Sequence, residues 1–200
     1  MKRALDLILT IPAIVVAIPL IVLIYLVLWI GQGRPVLFTQ MRAGRNGNDF
    51  LLYKFRTMTD ERDASGELLP DPERTTFIGR FLRRSRMDEL LQLFHVLKGD
   101  MSLVGPRPVL PETVRSFGAL GKRQGSVRPG LTGWAQVNGN ATLENPDKMA
   151  LDVWYVDNQS MLLDLEIMLR TFGVILHGDR LNQRNIDRAQ AHAAVYCSAD

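Results

Sequence analysis

An adjacent pair of carboxylates, Asp88 and Glu89, lies within a strongly basic stretch of this 200-residue sequence. Five cations flank the pair between positions 83 and 107: Arg83, Arg84, Arg86, Lys98 and Arg107. Cations this close are expected to keep both carboxylates ionised, and they can also hold a second anion such as a phosphate. An ionised Asp beside bound phosphate can act as a nucleophile, and two carboxylates can share a divalent metal. The pair is therefore a candidate site for phosphate chemistry.

The pattern around the pair predicts a helix that positions it. Apolar residues recur at the three-and-four spacing of one buried helix face: Met87, Leu90, Leu91, Phe94 and Leu97. Gly99 supplies a helix stop. The two carboxylates then fall in the first helical turn, where unpaired N–H groups favour negative charge, and ordinary helix-start chemistry explains them equally well. The Gly-Pro-Arg-Pro turn at 105–108 fixes the backbone around Arg107, so that its guanidinium can be aimed.

An apolar segment, Leu7–Ile30, precedes all of this and is long enough to cross a bilayer as a helix. Two prolines, Pro12 and Pro19, interrupt it. Basic residues flank both of its ends, so the positive-inside rule selects no orientation. The residues alone fit a straight spanning helix and a re-entrant helix that bends at Pro19 equally well.

Short elements are predicted between the membrane segment and the carboxylates. Val36–Arg42 and Phe50–Met58 indicate two strands of a hairpin, with Lys54 and Arg56 on one face. On the residues alone, an ordinary solvated strand face is the preferred explanation of these two cations, and a ligand-binding role is the alternative. Phe77–Arg84 is typical of a short basic helix.

Helices are predicted again in the second half of the chain, at 109–124, 147–157 and 161–177. The last of these carries a broad apolar face. Core packing is the default interpretation of that face, and an interfacial helix lying on the membrane is the alternative. Overall, 24 Lys and Arg against 21 Asp and Glu give a net charge of +3, which permits an acidic partner without identifying one. The only cysteine, Cys197, excludes an intrachain disulfide framework and a cysteine-based metal cluster.

Three motifs together resemble a known family: the runs at 88–94, 97–108 and 128–138. With Lys2-Arg3-x-x-Asp6 at the start, they make the chain similar to the bacterial sugar transferases, and more narrowly to the small monotopic phosphoglycosyl transferases. The likeness runs from the N-terminus to about His177. It implies an α+β, mainly helical fold with a re-entrant membrane helix, a small β-hairpin and interfacial amphipathic helices around a compact cytosolic catalytic domain. The implied division is 1–33 for the membrane anchor, 34–178 for the catalytic domain and 179–200 for a variable polar tail.

The resemblance also implies an activity. A phospho-sugar passes from a uridine diphosphate sugar, with an N-acetylated amino sugar expected, to undecaprenyl phosphate, and UMP is released. The family's roles fall on these positions: Asp88 as nucleophile, Glu89 as catalytic and Mg²⁺-binding residue, Arg107, Lys54, Arg56 and Arg128 as phosphate-binding residues, Gln136 and Asn138 as nucleotide contacts, and Pro19 as the break of the membrane helix. The expected location is the cytoplasmic face of the bacterial inner membrane, among phospholipids. A second copy of the chain is left open as a partner.

Two features depart from the family pattern near the site. Arg86 stands where small polar residues are frequent, and His95 replaces a frequent Asn. A membrane-bound lipid-binding or scaffold protein that keeps the fold without catalysis is the alternative function. Nucleic-acid binding is suggested by charge alone, and the apolar segment argues against it.

Overall fold

A single long helix, α1 (Lys2–Gln32), supports one side of the whole molecule. The computed structural model describes residues 2–197, without the side chain of Cys197. One stripe of α1 is buried at helical spacing and packs along the rest of the chain: Asp6, Thr10, Ile14, Ala17, Ile24 and Leu28. The other faces expose apolar side chains. Among the described residues, α1 is the one helix long and apolar enough to cross a membrane.

The predicted break at Pro19 is not seen as an interruption, because α1 remains one helix through both Pro12 and Pro19. Ala17 and Ile24, on either side of Pro19, are both buried against the domain. Packing on both sides holds the helix together, and local adjustments can compensate for the hydrogen bond that a proline removes.

Both ends of α1 are bonded to the same domain. At the start, Lys2 Nζ lies 2.5 Å from Asp164 Oδ2, and Arg3 donates to the carbonyls of Val96 and Leu97. At the end, Gln32 Nε2 donates to Thr76 Oγ1 over 2.9 Å. The helix therefore lies along the domain rather than projecting from it.

The predicted hairpin is confirmed. Strand β1 (Leu37–Arg42) pairs antiparallel with β2 (Phe50–Phe55), with Leu37 opposite Phe55 and Arg42 opposite Phe50. The second strand ends three residues before the predicted Met58. After the polar excursion, which contains α2 (Asp71–Arg74), comes the basic helix α3 (Phe77–Arg84), with the bounds that the sequence predicted.

The prediction of one helix over Met87–Leu97 is wrong. A 3₁₀ helix (Met87–Glu89) is followed by α4 (Gln92–Lys98), and the residues between them make i→i+3 bonds. A 3₁₀ segment has about three residues per turn, so it rotates α4 out of the predicted register. As a result Leu93 and Val96 are buried, whereas Phe94 and Leu97 are exposed. Gly99, with φ 101°, does end the helix.

The remaining elements form the second half of the core. Strand β3 (Ser102–Val104) pairs in parallel with β4 (Gly130–Thr132). The helices here are α5 (Pro111–Ser116), α6 (Gly118–Gln124), α7 (Trp134–Val137), α8 (Asn145–Asp157), α9 (Met161–His177) and α10 (Gln183–Cys197), with a 3₁₀ turn at Asn140–Thr142. The segment expected to be a polar tail forms α10, whose Ile186, Ala189 and Ala193 belong to the main hydrophobic cluster.

The apolar face of helix α9 is exposed and is not packed in the core. Its buried residues are Asp164 and Ile167, while its large apolar side chains are mostly exposed: Leu162 by 81%, Leu165 by 51%, Leu169 by 63%, Phe172 by 66% and Leu176 by 76%. The default of core packing is therefore wrong for this face. An apolar face of this size on a soluble surface is typical of an interaction site.

Candidate active site

A cavity of about 380 Å³ lies where the hairpin, the 3₁₀ helix, β4 and α9 meet. Four cations and one carboxylate line it: Arg42, Lys54, Arg86, Arg107 and Glu89. Apolar side chains complete the wall, among them Leu90, Leu131 and Phe172. The cavity is thus suited to a ligand with both anionic and apolar parts.

Asp88 lies beside this cavity without being part of its lining. The 3₁₀ helix that carries it follows Arg86, whose backbone is left-handed with φ 59°. The side chain of Asp88 is buried. Burial is the main cause that raises its pKa to about 6, and repulsion from the carboxylate of Glu89 is the second cause. Lys54 and Arg86 oppose that shift without cancelling it. The sequence predicted that the nearby cations keep this carboxylate ionised. A pKa of about 6 leaves it mostly ionised near neutral pH, but desolvation has a larger effect on that pKa than the cations do.

Glu89 faces the cavity and is only loosely paired. Its Oε1 lies 3.8 Å from Arg107 Nη2, a long contact for an ion pair. Among the described residues, no group of three or more His, Cys, Asp or Glu side chains could hold a metal by itself. One or two carboxylates completed by substrate phosphates are a common magnesium arrangement, so Glu89 fits such an ion.

The turn that carries Arg107 is fixed by close backbone contacts. Gly105 N–H donates to the Thr132 carbonyl over 2.9 Å, and Gly130 N–H donates to the Pro106 carbonyl over 2.7 Å. A Cβ on Gly105 would lie 2.6 Å from the carbonyl oxygen of Arg128, so only glycine allows this approach. The turn is thereby joined to β4, and Arg107 is held at the cavity wall.

A polar network behind the wall connects Arg107 with Arg86. Arg107 Nη1 donates to Asn140 Oδ1 over 2.7 Å, and Asn140 Nδ2 donates to Asp179 Oδ2 over 3.1 Å. Asp179 Oδ1 in turn lies 3.7 Å from Arg86 Nη2. Asp179 thus supports two cavity-lining cations from the segment between α9 and α10.

Two further cations reach the cavity from the hairpin. Burial lowers the pKa of Lys54, and Asp88 opposes the change. Burial, followed by repulsion from Arg107, also lowers the pKa of Arg42. Their partly desolvated charges are available to an anionic ligand that enters the cavity.

The structure brings some of the predicted residues together and places others elsewhere. Lys54, Glu89, Arg107 and Gln136 line the cavity, and Asp88 adjoins it. The other predicted residues lie outside it. Arg56 donates to the Gln32 carbonyl, Arg128 donates from Nε to the Gly99 carbonyl, and Asn138 is fully buried between Trp134 and Asn185.

Sequence reasoning missed Arg42, Asn140 and Asp179. Arg42 ends a predicted strand. Side chains alternate between the two faces of a hairpin, and this alternation could have suggested that Arg42 lies on the same face as Lys54. Asn140 adopts φ 45°, a conformation that Asn tolerates better than most residues. Asp179 follows a helix stop in a stretch without any motif, so the sequence carried no signal for it.

A buried carboxylate beside an acid and several cations, at the edge of a half-apolar cavity, defines an enzyme-like site for an anionic substrate. The family model described as bacterial sugar transferase matches residues 1–178. The chain belongs to this family, as the resemblance in the sequence predicted.

Curated relatives agree with this assignment. The chain is 51% identical over 153 residues to an uncharacterised sugar transferase, EpsL, of Bacillus subtilis (strain 168), with 76% of each chain covered. It is 34% identical over 196 residues to an undecaprenyl-phosphate galactose phosphotransferase of Salmonella typhimurium, covering 90% of this chain and 41% of that one. It is 37% identical over 185 residues to a UDP-N-acetylgalactosamine-undecaprenyl-phosphate N-acetylgalactosaminephosphotransferase of Aeromonas hydrophila, covering 88% and 44%. The chain thus spans less than half the length of the last two relatives.

Proposed function

We propose that this protein transfers a phospho-sugar from a uridine diphosphate sugar to undecaprenyl phosphate. The observation that carries the proposal is the buried Asp88 next to Glu89, at a cavity that Arg42, Lys54, Arg86 and Arg107 line. The names of the Salmonella and Aeromonas relatives describe the same class of reaction.

Asp88 is the proposed nucleophile. One of its carboxylate oxygens attacks the phosphorus that bears the sugar, the bond from that phosphorus to the bridging oxygen breaks, and UMP leaves with the electron pair. The protein then carries the phospho-sugar on Asp88 as an acyl phosphate, a mixed anhydride of the carboxylate and the sugar phosphate. An oxygen of the lipid phosphate attacks the same phosphorus and expels the carboxylate of Asp88. Two steps allow a soluble donor and a membrane-bound acceptor to use one site in turn.

In both steps of the proposed reaction, the cations of the cavity wall would bind phosphate and neutralise its charge. Arg107 is suited to hold a phosphate with two parallel N–H donors, because its turn and Asn140 fix its direction. Lys54 and Arg86 offset the negative charge that gathers on the leaving phosphate. Glu89 would hold Mg²⁺, which supplies charge neutralisation between two anionic reactants when it is bound.

The donor sugar is proposed to be an N-acetylated amino sugar. The support is the overall similarity to small family members and the name of the Aeromonas relative. Galactose and glucose appear in the names of other relatives, so these sugars belong in the same donor panel.

We also propose that the protein is monotopic, with α1 re-entering one leaflet and the cavity on the cytoplasmic side of the inner membrane. Both ends of α1 are bonded to one domain, which suits a helix whose two ends share one face of the membrane. The exposed apolar face of α9 would lie in the same interface. Such a position brings the cavity to the depth of the acceptor's headgroup.

The experiment is UMP release from a panel of uridine diphosphate sugars, using the purified full chain with magnesium and undecaprenyl phosphate. Release that depends on the acceptor and is lost in Asp88→Asn is the expected result. Asp49→Asn is the matched control, since it removes a carboxylate from an exposed position in the hairpin turn. If Asp88→Asn were as active as the wild type, the nucleophile would be another group.

A further inference from the structure

A second, smaller cavity lies at the N-terminal end of α1 and has a volume of about 170 Å³. Four cations line it: Lys2, Arg3, Arg45 and Arg128. It shares no lining residue with the cavity that contains Glu89. Lys2, Arg3 and Arg128 are motif positions of the sequence that the proposed reaction does not use.

The one carboxylate in this lining is already occupied. Asp6 accepts hydrogen bonds from Ser102 Oγ and from the Leu103 backbone N–H, each over 3.0 Å. Asp6 supplies one negative charge, and Lys2 is already paired with Asp164 outside this lining. The remaining cations, Arg3, Arg45 and Arg128, therefore outnumber the one carboxylate. The small cavity therefore carries an excess of positive charge.

Two of the four cations keep unused donors. Arg45 donates from Nε to the Ser126 carbonyl over 3.2 Å, and Arg128 donates from Nε to the Gly99 carbonyl over 2.8 Å. Within residues 2–197, the terminal nitrogens of these two guanidinium groups have no further partner. Guanidinium groups with free N–H pairs are the usual protein ligands of phosphate oxygens.

The position of the small cavity indicates where such a phosphate would come from. It lies between the start of α1 and Gln159, two residues before the first residue of α9. Ile8 of α1 is 66% exposed and Leu162 of α9 is 81% exposed, so both helices carry exposed apolar side chains near the ends at which the cavity lies. Basic pockets next to membrane-facing apolar surface lie at the level of lipid headgroups.

We propose that this small cavity binds the phosphodiester of an anionic phospholipid of the membrane in which the protein sits. The bound headgroup bridges Arg45 in the hairpin turn, Arg128 ahead of β4 and the start of α1. It thereby fixes the anchor helix to the domain. The site is separate from the donor and acceptor chemistry, and its test measures binding alone.

The test is binding of short-chain lipid to the purified full chain in detergent, measured as the ligand-dependent shift of the apparent Tm. The probes are dioctanoyl phosphatidylglycerol, dioctanoyl phosphatidylcholine and inorganic phosphate. A saturable shift with phosphatidylglycerol, and none of comparable size with the other two, is the expected result. If inorganic phosphate gave the same saturable shift, the small cavity would be a site for free phosphate, and the lipid assignment would be wrong.

Arg45→Gln distinguishes the small cavity from general surface charge. Its contact with Ser126 is exposed, so the fold is expected to survive, and a circular dichroism spectrum checks this. Loss of one charged phosphate contact is expected to weaken phosphatidylglycerol binding about tenfold. Arg184→Gln, on the exposed side of α10, makes the same change of charge and should leave binding unchanged. Equal binding by both variants, whether unchanged or equally weakened, would overturn the proposal.

Discussion

The carboxylate of Asp88 combines burial with proximity to three charged side chains, Glu89, Lys54 and Arg86. Burial and Glu89 together move its pKa to about 6, so that it is mostly ionised near neutral pH but poorly solvated. A poorly solvated anion is a stronger nucleophile than one in bulk water, and perturbed carboxylates of this kind cluster at functional sites. The same burial makes the charged form costly to the folded state.

The pH dependence of the reaction should therefore report Asp88. Below a pH of about 6 the carboxylate is protonated and cannot attack, so kcat/KM for UMP release should fall about tenfold per pH unit on the acid side. Because Lys54 holds this pKa down, Lys54→Gln should move the midpoint to higher pH, and Arg184→Gln should not. The measurement is initial UMP release between pH 4.5 and 8, and a flat profile down to about pH 4.5 would contradict the assignment.

Stability should change in the opposite sense to activity in Asp88→Asn. A pKa raised from 3.8 to about 6 means that the folded state binds the proton more tightly, so this residue costs stability as pH rises between those values. The cost is fully present above pH 6 and amounts to roughly 3 kcal/mol. Asp88→Asn should therefore have a higher apparent Tm than the wild type at pH 7.5, and the difference should disappear near pH 4. Asp49→Asn should show no such gain, and a destabilised Asp88→Asn at pH 7.5 would contradict the account.

Residue types and motif matches predicted the centre of the site better than its edges. Asp88, Glu89, Lys54 and Arg107 come together because they flank turns that converge on one cavity. Arg56 and Arg128 carry the same kind of charge, yet each bonds to a backbone carbonyl elsewhere. Which carbonyl an arginine reaches depends on packing between distant segments, and no local pattern encodes that.

At the scale of elements, α1 is held along its length by the domain that follows it. Lys2 is bonded to α9, the middle of the helix packs on α4, and Gln32 is bonded to Thr76 at the start of α3. A straight crossing of the bilayer would carry one end away from these partners. The helix is therefore expected to begin and end on the same side of the membrane.

Cysteine labelling can measure this arrangement. In a Cys197→Ser background, Ala4→Cys and Asn48→Cys place single thiols at exposed positions before and after the membrane segment. Neither should react with a membrane-impermeant maleimide in intact spheroplasts, and both should react after permeabilisation. Labelling of one of the two in intact spheroplasts would instead indicate a spanning helix.

Elements whose bounds depend on the nearby sequence were predicted well. Elements whose bounds or orientation depend on packing between distant segments were not. The hairpin and α3 have the bounds that alternation and charge suggested, apart from the end of β2. The left-handed backbone at Arg86 and the split of 87–98 into a 3₁₀ helix and α4 were not predicted, because neither has a signal in the local sequence. The apolar faces of α9 and α4 were assigned to the core because periodicity shows a face but not what covers it.

At the scale of the whole molecule, two cavities of different charge and composition flank the apolar surface of α1 and α9. The larger one has a carboxylate pair and apolar walls, and the smaller one is basic. Helix α10 contributes to the main hydrophobic cluster, and the segment before it supplies Asp179 to the polar network beside the larger cavity. In the proposed reaction, this layout would bring the soluble donor, the lipid acceptor and the membrane surface together around Asp88.

The most direct test of the central claim is the mass of the protein after exposure to its donor without any acceptor. The wild type should gain the mass of one phospho-sugar, located on the peptide that contains Asp88, and undecaprenyl phosphate should remove it. Asp88→Asn should gain nothing under the same conditions. An adduct that persists in Asp88→Asn, or UMP release that proceeds only with acceptor and never leaves an adduct, would contradict a covalent intermediate on Asp88.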